Sequence, residues 1–163
     1  MIKMDKKYHD HETELVRSGI EQRGLWLYNF MKEAKEQGMD YEQFGRNVIF
    51  ECGCAKGRMN FTETDSLVEF ANQYQPEIGR KAFDGQFLEL TEKKMIVEST
   101  YCPLVKMWME LTDDEELINQ LCDIAMDGDR GIMSCFPQFE FYLKNTIPAG
   151  DGKCRVELYK AEK

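Results

Sequence analysis

The sequence predicts an α+β fold, with helices packed on an antiparallel sheet of about four strands, and three features carry that prediction. Apolar residues recur at helical spacing through most of the first 75 residues. Two later segments, 85–100 and 139–159, change to a period of two about polar turns. No strand–helix–strand unit repeats, which removes the parallel α/β layouts. At 163 residues the chain reads as a single domain, 1–163, with a helical part over about 10–80 and an α+β part over about 83–163.

Each element has its own signal. From about residue 12 to 36, Val16, Ile20, Leu27, Phe30, Met31 and Ala34 share one face of a long helix, and Gly38 supplies its stop. A second helix follows DYEQ with Phe44, Val48, Cys52, Ala55 and Met59 as its apolar row. On that helix Cys52 is expected to point inward and Cys54, about 200° around, to point away, so the two do not chelate a metal. TETDSLVEFANQYQP opens with Thr62 and Asp65 at capping-box spacing, carries Leu67, Val68, Ala71 and Tyr74, and ends at Pro76: a third helix.

GQFLELTEKKMIVEST, residues 85–100, is β-rich on both sides of TEKK and reads as a hairpin. After Pro103, Leu104, Trp108 and Leu111 mark a short helix. Thr112, with Glu115 three residues on, caps another that carries Leu117, Leu121, Ala125 and Ile132 to about residue 133. Phe139, Phe141 and Leu143, then Cys154, Val156 and Leu158, alternate with polar neighbours and form a second hairpin through IPAGDG.

Composition narrows the function classes. With 42% hydrophobic and 31% charged residues and no low-complexity tract, a soluble globular protein is expected. The apolar runs are far shorter than a bilayer span, so no membrane partner is expected. MIKMDKKYHDHETE lacks the apolar core of an export signal, and the six cysteines accordingly read as reduced cytoplasmic thiols. A formal net charge of -9 argues against sequence-independent nucleic-acid binding, and an anionic substrate would need a specific Arg or Lys. His9 and His11 are the only histidines and sit in an N-terminal segment expected to be a frayed, solvated terminus. Chemistry elsewhere must use Cys, Asp, Glu, Tyr, Lys or Arg.

FDGQFLELTEKKMIVESTYCPLVKMW, INQLCDIAMDGDRGI and FEFYLKNTIPAGDGKCRVEL, with their Cys-Pro-Leu, Asp-x-x-x-x-Gly-Asp and Gly-Asp-x-x-Cys motifs, resemble the L-2-amino-thiazoline-4-carboxylic acid hydrolase family. The resemblance is carried by about the last 80 residues. It implies hydrolytic opening of a small cyclic C–N–S centre to an N-carbamoyl cysteine, with no cofactor. The same half is more distantly similar to 4-vinyl-reductase-type ligand-binding domains, several of which use a zinc site near the final hairpin. Of such ligands only Cys122 and Cys154 remain, since Thr146 stands eight residues before Cys154. No metal is therefore expected. That second similarity also leaves a homodimer open.

Cys102 stands out because Pro103 follows it at a predicted first helical position, so its thiol is expected at a helix N-terminus, where the dipole lowers a thiol pKa. It reads either as a nucleophile or as a small residue buried beside proline. In DIAMDGDRG, Asp127 and Asp129 lie about 200° apart on a helix and cannot share one pocket. Asp129, seven residues after Cys122, is the better candidate for a water-activating base, whereas Asp123 and Asp127 look like a solvated face. Arg130, Lys106 and Arg58 are candidates for a substrate carboxylate, Arg130 first because its fork suits bidentate contact. Asp151 is a further candidate at the substrate, or a turn residue bonding backbone. The reading is a small hydrolase with Cys102 and Asp129 central. The rival is a non-catalytic module that closes an apolar pocket around a small ligand.

Overall fold

A computed structural model describes residues 1–162; the last position of the expected 1–163 range lies outside the described residues. Four helices come first: α1 (His11–Glu36), α2 (Tyr41–Asn60), α3 (Leu67–Tyr74) and α4 (Glu77–Ala82). Strands β1 (Gly85–Leu90) and β2 (Lys94–Ser99) follow, then α5 (Pro103–Leu111), α6 (Glu115–Ala125) and α7 (Asp127–Ser134). The chain ends with β3 (Phe139–Asn145), a wide turn at Ile147–Asp151, and β4 (Cys154–Lys160). The sheet is antiparallel in the order β1-β2-β4-β3, so the two hairpins join through β2 and β4 with Met95 opposite Leu158 and Val97 opposite Val156. The α+β prediction holds.

Two apolar clusters form the core. One lies on the inner face of the sheet, where Met95, Val97, Val156 and Leu158 meet Phe70 of α3 and Ile132 and Met133 of α7. The other lies among the helices, with Leu27 and Met31 of α1, Val105 and Trp108 of α5, and Ile118 and Leu121 of α6. Trp108 is fully buried and donates its indole N–H to the Gly24 carbonyl at 2.9 Å, which fixes α5 against α1.

Local starts and stops differ from the expectation in three places. The α3 cap is Ser66, whose hydroxyl accepts the Glu69 N–H, so Thr62 stays in the preceding loop. The α6 cap is Asp114 rather than Thr112, which instead ends α5. The single helix expected up to residue 133 breaks at Met126 into α6 and α7.

The burial of α2 is the reverse of the expectation. Cys54 is buried and Cys52 exposed, and of the expected apolar row Val48, Cys52 and Met59 are exposed while Phe44 and Ala55 are half-buried. What α2 buries is a row of small residues, Gly45, Gly53, Cys54 and Gly57. A Cβ on Gly53 would collide with the Gly128 carbonyl, and one on Gly131 with the Phe50 carbonyl, so α2 and α7 touch backbone to backbone. Hydrophobic periodicity cannot register this face, because glycine has no side chain to score. Gly53→Val is expected to lose about 2–3 kcal/mol or more in chemical denaturation, since backbone cannot yield as a flexible side chain does.

The N-terminal segment is docked rather than frayed. Ile2 is buried in the helical cluster, and Asp5 and Thr100 exchange two hydrogen bonds, Asp5 N–H to the Thr100 carbonyl at 2.9 Å and Thr100 Oγ1 to the Asp5 carbonyl at 3.1 Å. Arg17, 1% exposed, holds the segment from beneath. Its guanidinium donates to the carbonyls of Tyr8, Lys81 and Ala82 and to the carboxylates of Glu14 and Asp84. Asp84 in turn accepts the N–H groups of Lys7 and Tyr8. All five guanidinium protons thus have acceptors, which is what a buried cation requires. His9 and His11 are exposed, as expected.

Candidate functional site

Cys102 is the residue before α5, in extended conformation (φ -140°, ψ 115°), with Pro103 in the first helical turn as the sequence predicts. The backbone N–H groups of Leu104 and Val105 face its sulfur and favour the thiolate. Burial outweighs them. With 8% exposure, and with the Cys154 thiol beside it, the Cys102 pKa is pushed up to about 12. The expected lowering by the helix end is therefore corrected: the helix end is present, but desolvation of the charged sulfur is the larger effect.

Cys102 has two thiol neighbours. Cys122 of α6 is raised by burial first and then by the sulfurs of Cys102 and Cys154. Cys154, whose sulfur accepts the Ile147 N–H at 3.3 Å, is raised by burial to about 11. No group of three or more His, Cys, Asp or Glu side chains suited to hold a metal occurs among the described residues. At neutral pH all three sulfurs are protonated, so alkylation of the native protein by iodoacetamide is expected to mark exposed Cys52 first and to leave Cys102 and Cys122 unmodified. Peptide mass mapping checks this.

Asp129 lies in the first turn of α7 and accepts a hydrogen bond from Tyr74 Oη at 2.5 Å. Burial raises its pKa, and the Tyr74 bond opposes that shift only in part. Tyr74 itself is held well above the usual tyrosine range by burial and then by the Asp129 charge. Among the described residues Asp129 is in no ion pair, whereas Asp84, Asp123 and Asp127 each pair with arginine. The more distant charges of Lys56 and Arg130 also oppose the shift without cancelling it, and a desolvated carboxylate with a raised pKa is suited to proton transfer.

Cys102 lies in the helical cluster, while the Tyr74 partner of Asp129 belongs to the sheet-side cluster. Cys122 has both Cys102 and Asp129 in its surroundings.

The expected anion-binding residues are engaged elsewhere. Arg130 donates to Asp127 at 2.7 Å and to Asp123 at 2.8 Å, so its fork is filled by the protein's own carboxylates and is not free for a substrate. Arg46 closes the network on the same two aspartates. Asp127 is accordingly buried instead of belonging to a solvated face. Lys106, one turn into α5, pairs with Glu21 and Glu110, both at 3.1 Å. Arg58 is exposed in the last turn of α2. Asp151 accepts the Thr146 N–H at 3.3 Å, which is the turn role. Arg23, exposed on α1, is a cation whose charge reaches Cys102. Neither Arg23 nor Tyr74 is singled out by the sequence: one reads as part of a solvated helix face, the other as part of an apolar row. Two open grooves, one of about 550 Å³ between α2 and α6 and one beside Pro137 and Lys160, touch neither Cys102 nor Asp129.

The family model described as L-2-amino-thiazoline-4-carboxylic acid hydrolase matches residues 17–158. The chain belongs to this family. The match begins at the buried Arg17, covers all seven helices but the first turns of α1, and ends at Leu158 in β4, so it reaches well beyond the 80 residues that carry the motifs. A search of curated proteins finds no match. No helix of the family member described here is long and apolar enough to cross a membrane, among the described residues.

Proposed function

We propose that the chain is a hydrolase that opens a small cyclic substrate of the 2-amino-thiazoline-4-carboxylate type at the ring carbon between sulfur and nitrogen. The observation that carries the reading is Asp129: half-buried, raised in pKa by desolvation, bonded to Tyr74 and in no ion pair among the described residues. Family membership supports the reaction class.

In the proposed reaction the oxygen of water bonds to the ring carbon while Asp129 takes one of its protons. The ring C–S bond then breaks as the C=O bond forms. The departing sulfur takes the proton from Asp129, and the second proton of water ends on the ring nitrogen, giving an N-carbamoyl cysteine. Direct attack by water is favoured over attack by Cys102, because a thiol raised to about 12 is protonated at rest. Arg23, exposed on α1 and close enough for its charge to reach the Cys102 sulfur, is the proposed partner of the substrate carboxylate.

Turnover of 2-amino-thiazoline-4-carboxylate by the purified protein, followed as released thiol, tests the proposal. Cys102→Ser is expected to retain most of the rate; a loss of at least about a hundredfold, some 2.7 kcal/mol of barrier, would instead mark Cys102 as the nucleophile. The second reading, a module that binds a small ligand without chemistry, is favoured by the apolar surroundings of Cys102, which include Leu27, Val105, Trp108 and Ile147. A thiazoline acid that raises the thermal midpoint but is never turned over would support it.

A further inference from the structure

Among the described residues, Val48, Cys52 and Met59 of the apolar row of α2 are left exposed, and Phe44 and Ala55 are only half-buried. Phe44, Val48, Ala55 and Met59 fall within about 60° of one another around the helix, with Cys52 at their edge. Val48 is 44% and Met59 80% exposed. The neighbouring helix α1 also carries exposed apolar side chains; Met31 meets Gly45 and Lys35 stacks on Tyr41, so α1 runs antiparallel to α2. One turn apart on α1, Trp26 and Phe30 are 56% and 60% exposed. Fully exposed aromatic side chains present about 150–250 Å² each. These side chains therefore offer several hundred Å² of apolar surface per chain, a substantial part of the roughly 800 Å² per partner that a stable interface buries.

We propose that this face pairs with the same face of a second copy of the chain, α2 against α2 in antiparallel order about a two-fold axis. Charge favours this occupant. Glu51 and Arg58 lie on one edge of the row, seven residues apart, and neither is in an ion pair among the described residues. In an antiparallel two-fold pair, residues of the same edge face each other. A crossing point between Cys54 and Ala55 then sets Glu51 of each copy against Arg58 of the other, twice. Ala55 sits at that crossing, where a small side chain lets the helices approach. An anionic lipid surface is a poorer fit, because the edge carries Glu51 and the chain has a net charge of -9.

Analytical ultracentrifugation of the full chain across a concentration series tests the pairing. A dimer is expected for the wild type. Val48→Glu is expected to raise the dissociation constant at least about tenfold, and Glu51→Arg and Arg58→Glu to raise it separately. The double exchange, Glu51→Arg with Arg58→Glu, is expected to restore it. Circular dichroism confirms that these surface variants remain folded. A wild type that is monomeric throughout, a dimer indifferent to Val48→Glu, or a double exchange no tighter than the single ones would overturn the proposal. Binding of a monomer to vesicles of phosphatidylcholine and phosphatidylglycerol, lost in Val48→Glu, would overturn it as well by assigning the face to lipid.

Discussion

Arg17→Met is expected to destabilise the fold by about 3–5 kcal/mol, the usual cost of stranding one member of a buried ion pair. Asp84 would keep its bonds from the Lys7 and Tyr8 N–H groups but lose the one cation paired with it among the described residues, at a position with no exposure of its side chain. The carbonyls of Tyr8, Lys81 and Ala82 would lose their donor at the same time. Denaturant unfolding measures the loss, and a midpoint within about 0.5 kcal/mol of wild type would show that the centre is dispensable. Arg17→Met with Asp84→Asn is expected to cost less than the two single changes added, because the second removes the charge that the first leaves unpaired. Lys106→Ala, which breaks half-exposed ion pairs, is expected to cost no more than about 1 kcal/mol.

Asp129→Asn is expected to slow turnover at least about a hundredfold, or 2.7 kcal/mol in barrier, while leaving stability intact or improved at neutral pH. The sign follows from the raised pKa. Burial holds the folded-state pKa of Asp129 above its unfolded value, so the folded protein binds the proton more tightly. Stability contributed by that tighter binding is fully present below the unfolded pKa and is lost as pH rises through the folded one. Asparagine keeps an acceptor for Tyr74 Oη and never ionises. The stability difference between variant and wild type should therefore grow from the ordinary carboxylate range upward and level off above the raised pKa. An activity loss accompanied by a matching stability loss at every pH would mark Asp129 as structural.

How far the sequence could be read depended on what kind of contact did the work. The hairpins over 85–100 and 139–159 are legible because alternation registers directly which side chains reach the core, as Val156 and Leu158 do. Trp108 and Leu121 were legible for the same reason on helices. The α2 face was not, since its contact with α7 is made by Gly53, Gly57, Gly128 and Gly131, and the visible apolar row points outward. The Arg17–Asp84 centre was hidden too, because two charged residues 67 positions apart look solvated until the fold brings them together.

At the site, the helix start of Cys102 and the separation of Asp129 from Asp127 could both be inferred from local geometry alone. The state of the Cys102 sulfur depends on desolvation by residues distant in sequence. The Arg130 fork is filled by Asp123 and Asp127, seven and three residues earlier, once the helix breaks at Met126. Tyr74 meets Asp129 across 55 positions, a contact without any short-range signal.

The pH dependence of kcat/KM for 2-amino-thiazoline-4-carboxylate, measured for wild type and Asp129→Asn together, tests the role of Asp129 most directly. Wild type should show an acid limb displaced above the ordinary aspartate value of 3.8, and the variant should lose that limb along with at least about a hundredfold of rate. Near-normal turnover by Asp129→Asn with an unchanged acid limb would contradict it.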